Sequence, residues 1–230
     1  MLTTEPKVEH TERSEFSVMT GTLRNLANEE LNGVIRLEPT KRSGRTVLWL
    51  DARGKVAIFA DGGKPNAEVA RLLDAGCLVL GIDLFQQDEP TNRTVANPRE
   101  APAYTYGYNR ALFAQRVHDV LGALHFARAS EPKNTLTIFA TGGTGPLTAA
   151  ALAVEPTAAD AAVIDTGGFR FENVADWRDA NFLPAAAKYG DLPGLLTLVT
   201  PRPVFVIGEG ERAPVSAALD WLLKQGAKQP

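Results

Sequence analysis

Apolar and polar positions alternate in some segments of the chain and run continuously in others, which indicates two kinds of strand. Residues 15–21 (EFSVMTG) and 33–39 (GVIRLEP) alternate, as half-buried strands do, and the polar residues 25–32 predict a connection between them. The first 14 residues are polar, and we expect them to be disordered or frayed. Continuous apolar runs predict buried strands in RTVLWLD (45–51), CLVLGIDL (77–84), TLTIFA (135–140), AAVID (161–165) and PVFVIGEG (203–210).

Helical periods separate the continuous runs. In KPNAEVARLLDAG (64–76), Asn66 is expected to cap a helix that Gly76 ends. Three more segments have helical spacing of their apolar residues: 109–129, PLTAAALAV (146–154) and PVSAALDWLLKQG (214–226). The polar, proline-bearing residues 85–105 and the long segment 166–200 are expected to lie outside this alternation.

The alternation of strands and helices predicts an α/β fold with a mostly parallel sheet and helices on both of its faces. Residues 15–230 are expected to form a single domain. In open sheets of this kind, ligands bind at the carboxyl ends of the strands. Candidate site residues are therefore expected just after Leu50, Asp83, Ala140, Asp165 and Ile207.

Composition narrows the functional classes. The net charge of −3 argues against a nucleic-acid partner, which calls for a basic face. No apolar run approaches the ~20 residues of a membrane span. Cys77 is the single cysteine, so no intrachain disulfide can form. We expect a soluble protein without a cofactor, and the sequence leaves a cytoplasmic or an exported location open.

Four segments together resemble the α/β-hydrolase fold, in particular its acetylxylan-esterase and dienelactone-hydrolase-like branch. They are LLDAGCLVLGIDLF (72–85), YTYGYNRALFAQRVHDVLGAL (104–124), the glycine-rich residues 141–145 and NFLPAAAKYGDLPGLLTLVTPRPVFVIGEG (181–210). The resemblance covers residues 30–225. It implies a three-layer sandwich and carboxylic-ester hydrolysis by a serine in a G-x-S-x-G elbow, with a histidine base and an acid that follow in chain order.

The elbow motif aligns with Thr141-Gly142-Gly143-Thr144-Gly145 and places Gly143 at the nucleophile position. A shift by one residue places Gly142 there, so neither alignment supplies a serine. Thr141 and Thr144 carry hydroxyl groups, and Thr144 is a weak nucleophile candidate because a β-branched residue is disfavoured at a strained elbow.

The acid and the base of a triad are also hard to assign. Glu209 and Glu211 follow the last strand, either as a catalytic acid or as solvated carboxylates at a helix N-terminus. The three histidines are His10, in the polar start, and His118 and His125, on the helix before the elbow strand. None is expected at the strand ends. The resemblance places the histidine after an eighth strand, so we expect a degenerate C-terminal part, or a histidine beyond the present sequence.

Other polar segments have structural or binding interpretations. DARGK (51–55) takes the position of the oxyanion-hole loop, so its Asp51 and Arg53 are predicted to form an anion-binding site with three residues of the elbow, Gly142, Gly143 and Thr144. Asp83 and Asp165 are expected to cap loops, and Cys77 to be a small core residue. Trp177 and the aromatic residues 104–108 either form a sugar-binding surface or anchor a loop, and no metal site is expected.

The sequence therefore predicts an α/β-hydrolase-like protein related to carbohydrate esterases, acting as a non-catalytic domain. Two alternatives stay open: an active carboxylic-ester hydrolase with an unconventional site, and a module that binds a carbohydrate or a small acid. The expected partners are a small-molecule or carbohydrate ligand and a neighbouring catalytic domain or a second copy of the chain. Neither a nucleic acid nor a membrane is expected as a partner.

Overall fold

A computed structural model describes residues 2–12, 15–25, 30–87, 106–107, 109–210 and 214–225, with the side chains of residues 1–14 and 25–31 left undescribed. Its centre is one sheet of eight strands. The strands are β1 (Leu2–Glu12), β2 (Phe16–Asn25), β3 (Glu30–Pro39), β4 (Arg45–Leu50), β5 (Cys77–Ile82), β6 (Thr135–Ala140), β7 (Ala161–Asp165) and β8 (Val204–Ile207).

The strands lie in the order β1-β2-β3-β5-β4-β6-β7-β8. β3 pairs antiparallel with β2 and β5, whereas the pairs from β5 through β4, β6 and β7 to β8 are parallel. After β4 the chain adds β5 on one side, and β6 then lies on the other side of β4. This reversal is a topological switch point, and crevices at the carboxyl ends of such strands are where open α/β sheets bind ligands.

The amino-terminal segment differs from the expectation of a frayed or disordered start. Residues 2–12 form the edge strand β1, which pairs antiparallel with β2 from Leu2 opposite Asn25 to Glu12 opposite Ser17. β2 and β3 are also longer than the alternating segments predicted for them, and reach Asn25 and Glu30. An edge strand can form because its backbone hydrogen-bonds to the neighbouring strand, even when its sequence has no apolar face. The hydrophobic pattern of the sequence therefore does not predict such a strand.

Helices cover both faces of the sheet, as predicted. On one face α1 (Ala67–Asp74) and α5 (Val215–Gln225) bury apolar side chains against Val47, Phe139 and Val163. On the other face lie α2 (Leu112–Ser130), α3 (Gly145–Val154) and α4 (Asp191–Leu198), which pack on a second set of strand residues that includes Leu48 and Ile138. Among the described residues no helix has both the length and the apolar character needed to cross a bilayer.

Local signals explain how α1 begins and ends. The side chain of Asn66 accepts a hydrogen bond from the Val69 backbone at 2.8 Å, which satisfies one of the free N–H groups of the first turn. After the helix, Gly76 adopts a φ of +75°, a conformation in which a side chain is disfavoured. Both predicted end signals are therefore confirmed.

Candidate active site

The connection from β6 to α3 is a tight turn at the switch point. The Thr144 N–H donates to the Thr141 carbonyl at 3.1 Å. The two central residues, Gly142 and Gly143, have φ values of +57° and +92°. A four-residue turn with positive φ at both central positions is of type I′, which strongly favours glycine. A side-chain carbon built at Gly143 would meet no atom within 4 Å, so this position faces open space.

The two threonines of this turn point their hydroxyl groups into the protein. The Thr144 side chain is 1% exposed, and its Oγ1 lies 2.8 Å from the Thr141 carbonyl and 3.2 Å from the Leu50 carbonyl. Oγ1 of Thr141 lies 3.3 Å from the same Leu50 carbonyl and 3.2 Å from Oδ2 of Asp51. Both hydroxyls therefore tie the turn to the end of β4, and neither faces the open space beside Gly143.

Of the two residues predicted to join the turn in an anion-binding loop, Asp51 lies against the turn, and Arg53 is bonded to Asp51. Oδ1 of Asp51 accepts hydrogen bonds from the backbone N–H of Arg53 at 2.9 Å and from its Nε at 3.1 Å. A side-chain carbon at Gly142 would lie only 2.8 Å from Oδ2 of Asp51. This places a carboxylate, rather than a free cation, directly beside the turn, and that arrangement disfavours a bound anion there.

The glycine after the turn has a different structural cause. Gly145 begins α3, and a side-chain carbon at this position would lie 1.9 Å from the carbonyl oxygen of Asp165 at the end of β7. The helix therefore approaches β7 so closely that only a hydrogen atom fits. Such a close approach between helix and strand is what the final glycine of an elbow motif permits.

A second turn with the same design follows β7. The Phe169 N–H donates to the Thr166 carbonyl at 2.9 Å, and the intervening Gly167 and Gly168 have φ values of +57° and +72°. The sequence contains this signal as a repeated Thr-Gly-Gly, at 141–143 and 166–168, which the sequence reasoning missed. The carboxyl ends of β6 and β7 are thus closed by equivalent turns.

An ion pair lies next to this second turn. The guanidinium of Arg170 donates to both carboxylate oxygens of Glu209, at 3.0 and 2.6 Å. The hydrogen bonds from Arg170 are the main reason that the pKa of Glu209 lies below its ordinary value. Glu209 is therefore stabilised in its ionised form by Arg170. The sequence did not predict this partner. Glu211 lies outside the described residues.

Comparison with solved structures shows that the fold of this chain is similar to that of several esterases. The chain matches a promiscuous CE15 esterase from a marine bacterial metagenome with a TM-score of 0.66 and 14% identity, over 99% of this chain and 71% of the other. It matches a cold-adapted esterase from an Arctic intertidal metagenomic library with a TM-score of 0.57 and 15% identity, over 94% and 97% of the two chains. An arylesterase matches with a TM-score of 0.50 and 14% identity, over 86% and 68%.

The chain has the α/β-hydrolase fold. No protein-family model and no curated protein matches its sequence. The strand–turn–helix at residues 140–145 is the segment whose sequence aligns with the G-x-S-x-G elbow of that fold.

The described histidines lie away from the turn between β6 and α3. His118 and His125 are both exposed on α2. The His125 ring bonds to Glu155 at 2.8 Å, at the end of α3 opposite the elbow, roughly 15 Å along the helix. His10 lies in β1, five strand positions from β6 in the sheet and hence roughly 24 Å distant by strand spacing. The part of the chain that the structure describes places no histidine ring at the turns.

Other candidates from the sequence have structural partners. Asp83 accepts a bond from the Lys55 backbone at 2.8 Å and pairs with the Lys55 ammonium group. Asp165 accepts a bond from the Gly167 N–H at 3.0 Å, so both aspartates cap loops, as predicted. Cys77 is buried at the start of β5, and burial raises the pKa of its thiol.

The long connections are held by aromatic contacts and by bonds from α2. The Tyr106 hydroxyl donates to the Trp177 carbonyl at 2.6 Å, and the two rings pack edge to face at 6.1 Å. Arg116 donates to the carbonyl of Phe85 at 3.0 Å. The loop-anchoring interpretation of Trp177 agrees with these contacts. Tyr104 and Tyr108 lie outside the described residues.

Within the described ranges, no group of three or more His, Cys, Asp or Glu residues could hold a metal ion.

Proposed function

We propose that this chain is a non-catalytic α/β-hydrolase-fold domain, related to carbohydrate esterases of the acetylxylan-esterase type. The observation that carries the proposal is the state of the elbow. The nucleophile position is Gly143, and the two neighbouring hydroxyls are buried: that of Thr144 contacts carbonyl oxygens, and that of Thr141 lies between the Leu50 carbonyl and the Asp51 carboxylate. Serine-type ester hydrolysis requires a hydroxyl that is exposed to the substrate and bonded to a base.

An active hydrolase with an unconventional site is the less favoured alternative. Thr144 could attack an ester only after its hydroxyl left the carbonyls of Thr141 and Leu50, and neither of these two partners is a base. Of the two carboxylate candidates, Glu209 is the one that the structure describes, and Arg170 holds both of its oxygens. A carboxylate that stays ionised in an ion pair is a weak proton acceptor.

Carbohydrate binding is a second candidate function, and the charges around the elbow favour it over the binding of a small acid. The open space beside Gly143 lies at the switch point. Three carboxylates stand at or just beyond the carboxyl ends of β4, β7 and β8, namely those of Asp51, Asp165 and Glu209, and the first and last of them also pair with Arg53 and Arg170. Carboxylates accept hydrogen bonds from sugar hydroxyls and repel anionic ligands.

Turnover of p-nitrophenyl acetate tests the absence of catalysis. We expect the wild-type chain, Thr144→Val and Thr144→Ser to give the same low rate, no more than the residual effect of a protein surface. A rate well above buffer that disappears in Thr144→Val and returns in Thr144→Ser would contradict the proposal, because only a reacting hydroxyl would produce that pattern.

Calorimetric titration with acetylated xylo-oligosaccharides tests the binding candidate. Gly143→Asn fills the open position with a residue that tolerates positive φ, and it should weaken binding at least about tenfold. Gly62→Asn is the matched control, because Gly62 has a φ of +79° and also faces open space, in the loop before α1. Equal affinity in both variants, or no heat of binding with any oligosaccharide, would contradict the hypothesis that carbohydrate binds at the elbow.

A further inference from the structure

The outer edge of β8 presents hydrogen-bonding groups that β7 does not use. Ala162 and Ile164 of β7 lie opposite Val204 and Val206 of β8, and the Ala162 N–H donates to the Pro203 carbonyl at 3.0 Å. Because successive residues of a strand point their N–H and C=O groups in opposite directions, those of Val204 and Val206 point away from β7. In the described part of the chain no strand pairs with this side of β8.

The side chains of β8 leave this edge unprotected. Val204–Ile207 reads VFVI and contains no charged residue. Val206 is 38% exposed, although it is apolar. On the opposite face of the sheet, Phe205 packs against Trp221 of α5 with their ring centroids 5.5 Å apart. Edge strands that stay unpaired usually carry a charge, a bulge or an internal proline, or are very short, and of these features β8 has only its short length of four residues.

We propose that β8 of a second copy of this chain pairs antiparallel with this edge and joins the two sheets. A two-fold axis at Phe205 sets Val204 opposite the partner's Val206, and Val206 opposite the partner's Val204. Residues directly opposite each other in such a pair exchange both of their N–H···O=C bonds, so the edge-facing groups of both valines are satisfied. The two valines then cover each other on one face of the joined sheet, and the two Phe205 rings meet on the other.

The charges that flank β8 favour a second copy in this orientation. Arg202 precedes the strand, and Glu209, whose carboxylate also pairs with Arg170 of its own chain, follows it. In the register centred on Phe205, Arg202 lies opposite the partner's Gly208 and beside the partner's Glu209. Parallel pairing would instead align like charges, which is destabilising. The strand is therefore complementary to itself, as an isologous two-fold interface requires. This inference does not depend on the proposed function.

Sedimentation velocity over a range of protein concentrations tests the dimer. The wild-type chain should sediment with twice the mass of one chain as the concentration rises. Val206→Pro removes an N–H that faces the open edge and leaves the β7 bonds in place, because proline is tolerated where the N–H points to solvent. We expect this variant to remain monomeric with a thermal midpoint close to that of Val206→Ala, the control that keeps the N–H.

Cross-linking gives a second, independent test of the register. Phe205 is the non-hydrogen-bonded position of the proposed pair, where Cα atoms of facing residues are about 4.5 Å apart and a disulfide can form. Phe205→Cys should therefore form a covalent dimer on oxidation, whereas Thr157→Cys, exposed after α3, should not. A wild-type chain that stays monomeric at every concentration, or a dimer that neither Val206→Pro nor Phe205→Cys affects, would overturn the proposal.

Discussion

Thr141 and Thr166 make the same pair of hydrogen bonds at the ends of two neighbouring strands. Thr141 donates both its N–H, at 2.9 Å, and its hydroxyl, at 3.3 Å, to the carbonyl of Leu50, the last residue of β4. Thr166 donates its N–H, at 2.9 Å, and its hydroxyl, at 3.2 Å, to the carbonyl of Ile207, the last residue of β8. Each threonine thus fastens a glycine turn to an adjacent strand.

This equivalence predicts matched effects of substitution. Thr141→Val and Thr166→Val remove one buried hydroxyl each and keep the side-chain shape and the backbone bond. Each should lower the free energy of unfolding by about 1 kcal/mol, the usual net contribution of one such hydrogen bond. The corresponding serine variants should lose less. Urea denaturation measures all four variants, and a valine variant as stable as the wild type would show that its hydroxyl bond does not contribute.

Alanine substitutions at Gly142 and Gly143 should separate backbone strain from steric conflict. Both residues have positive φ, which costs a non-glycine residue about 1 kcal/mol. A methyl group at Gly143 enters open space, whereas at Gly142 it meets the Asp51 carboxylate at 2.8 Å. Gly143→Ala should therefore destabilise by about 1 kcal/mol and Gly142→Ala by clearly more. Asp51→Gly should reduce the excess cost of Gly142→Ala, and an unchanged excess would exclude Asp51 as its cause.

Gly145→Ala should be the most damaging of the glycine substitutions. The added carbon would overlap the Asp165 carbonyl at 1.9 Å, and both atoms belong to packed backbone. We expect a loss of about 3 kcal/mol or more, because α3 and β7 must separate. Chemical denaturation measures the loss, with Gly143→Ala as the control in the same turn. A Gly145→Ala variant as stable as Gly143→Ala would contradict the close approach.

The ion network at the end of α2 predicts an acid-dependent part of the stability. Burial alone would raise the pKa of Glu131, but hydrogen bonds from Arg36, at 2.7 Å, and Arg42 outweigh it and hold the pKa below its ordinary value of 4.5. The folded state therefore binds this proton less readily than the unfolded chain. The resulting stabilisation is complete above pH 4.5 and is lost as the pH falls through the lowered folded value.

Glu131→Gln tests this network. Near pH 7 the variant should be less stable by about 1–2 kcal/mol, and its stability should fall less steeply than that of the wild type below pH 4.5. Arg36→Met should reduce the acid dependence in the same direction, since it removes one of the two donors. Parallel pH profiles of Glu131→Gln and the wild type would show that the carboxylate of Glu131 does not carry the effect.

Much of the sheet was predictable because its central strands are continuous apolar runs. The runs at 45–51, 77–84 and 135–140 became β4, β5 and β6, and the Asn66 cap was readable from residue type alone. The edge strand β1 was not predictable, since its strand conformation depends on backbone pairing with β2 rather than on the burial of apolar side chains. Patterning detects apolar burial and is insensitive to backbone bonds between distant segments.

The candidate site was predictable in its location and less so in its contacts. The glycines at 142–143 and the missing serine were readable from the motif. The inward direction of the Thr144 hydroxyl and the pairing of Glu209 with Arg170 were not, because each depends on segments far apart in the chain. The repeated Thr-Gly-Gly was the one signal in the sequence that could have shown the second turn.

The most direct measurement is intact mass after incubation with a fluorophosphonate, which reacts covalently with activated hydroxyl nucleophiles. The wild-type chain should show no adduct at reagent concentrations that fully label a serine esterase, and Gly143→Ser should gain little labelling without a base to activate the new hydroxyl. A stoichiometric adduct on the wild-type chain, mapped by peptide analysis to Thr141 or Thr144, would contradict a non-catalytic elbow.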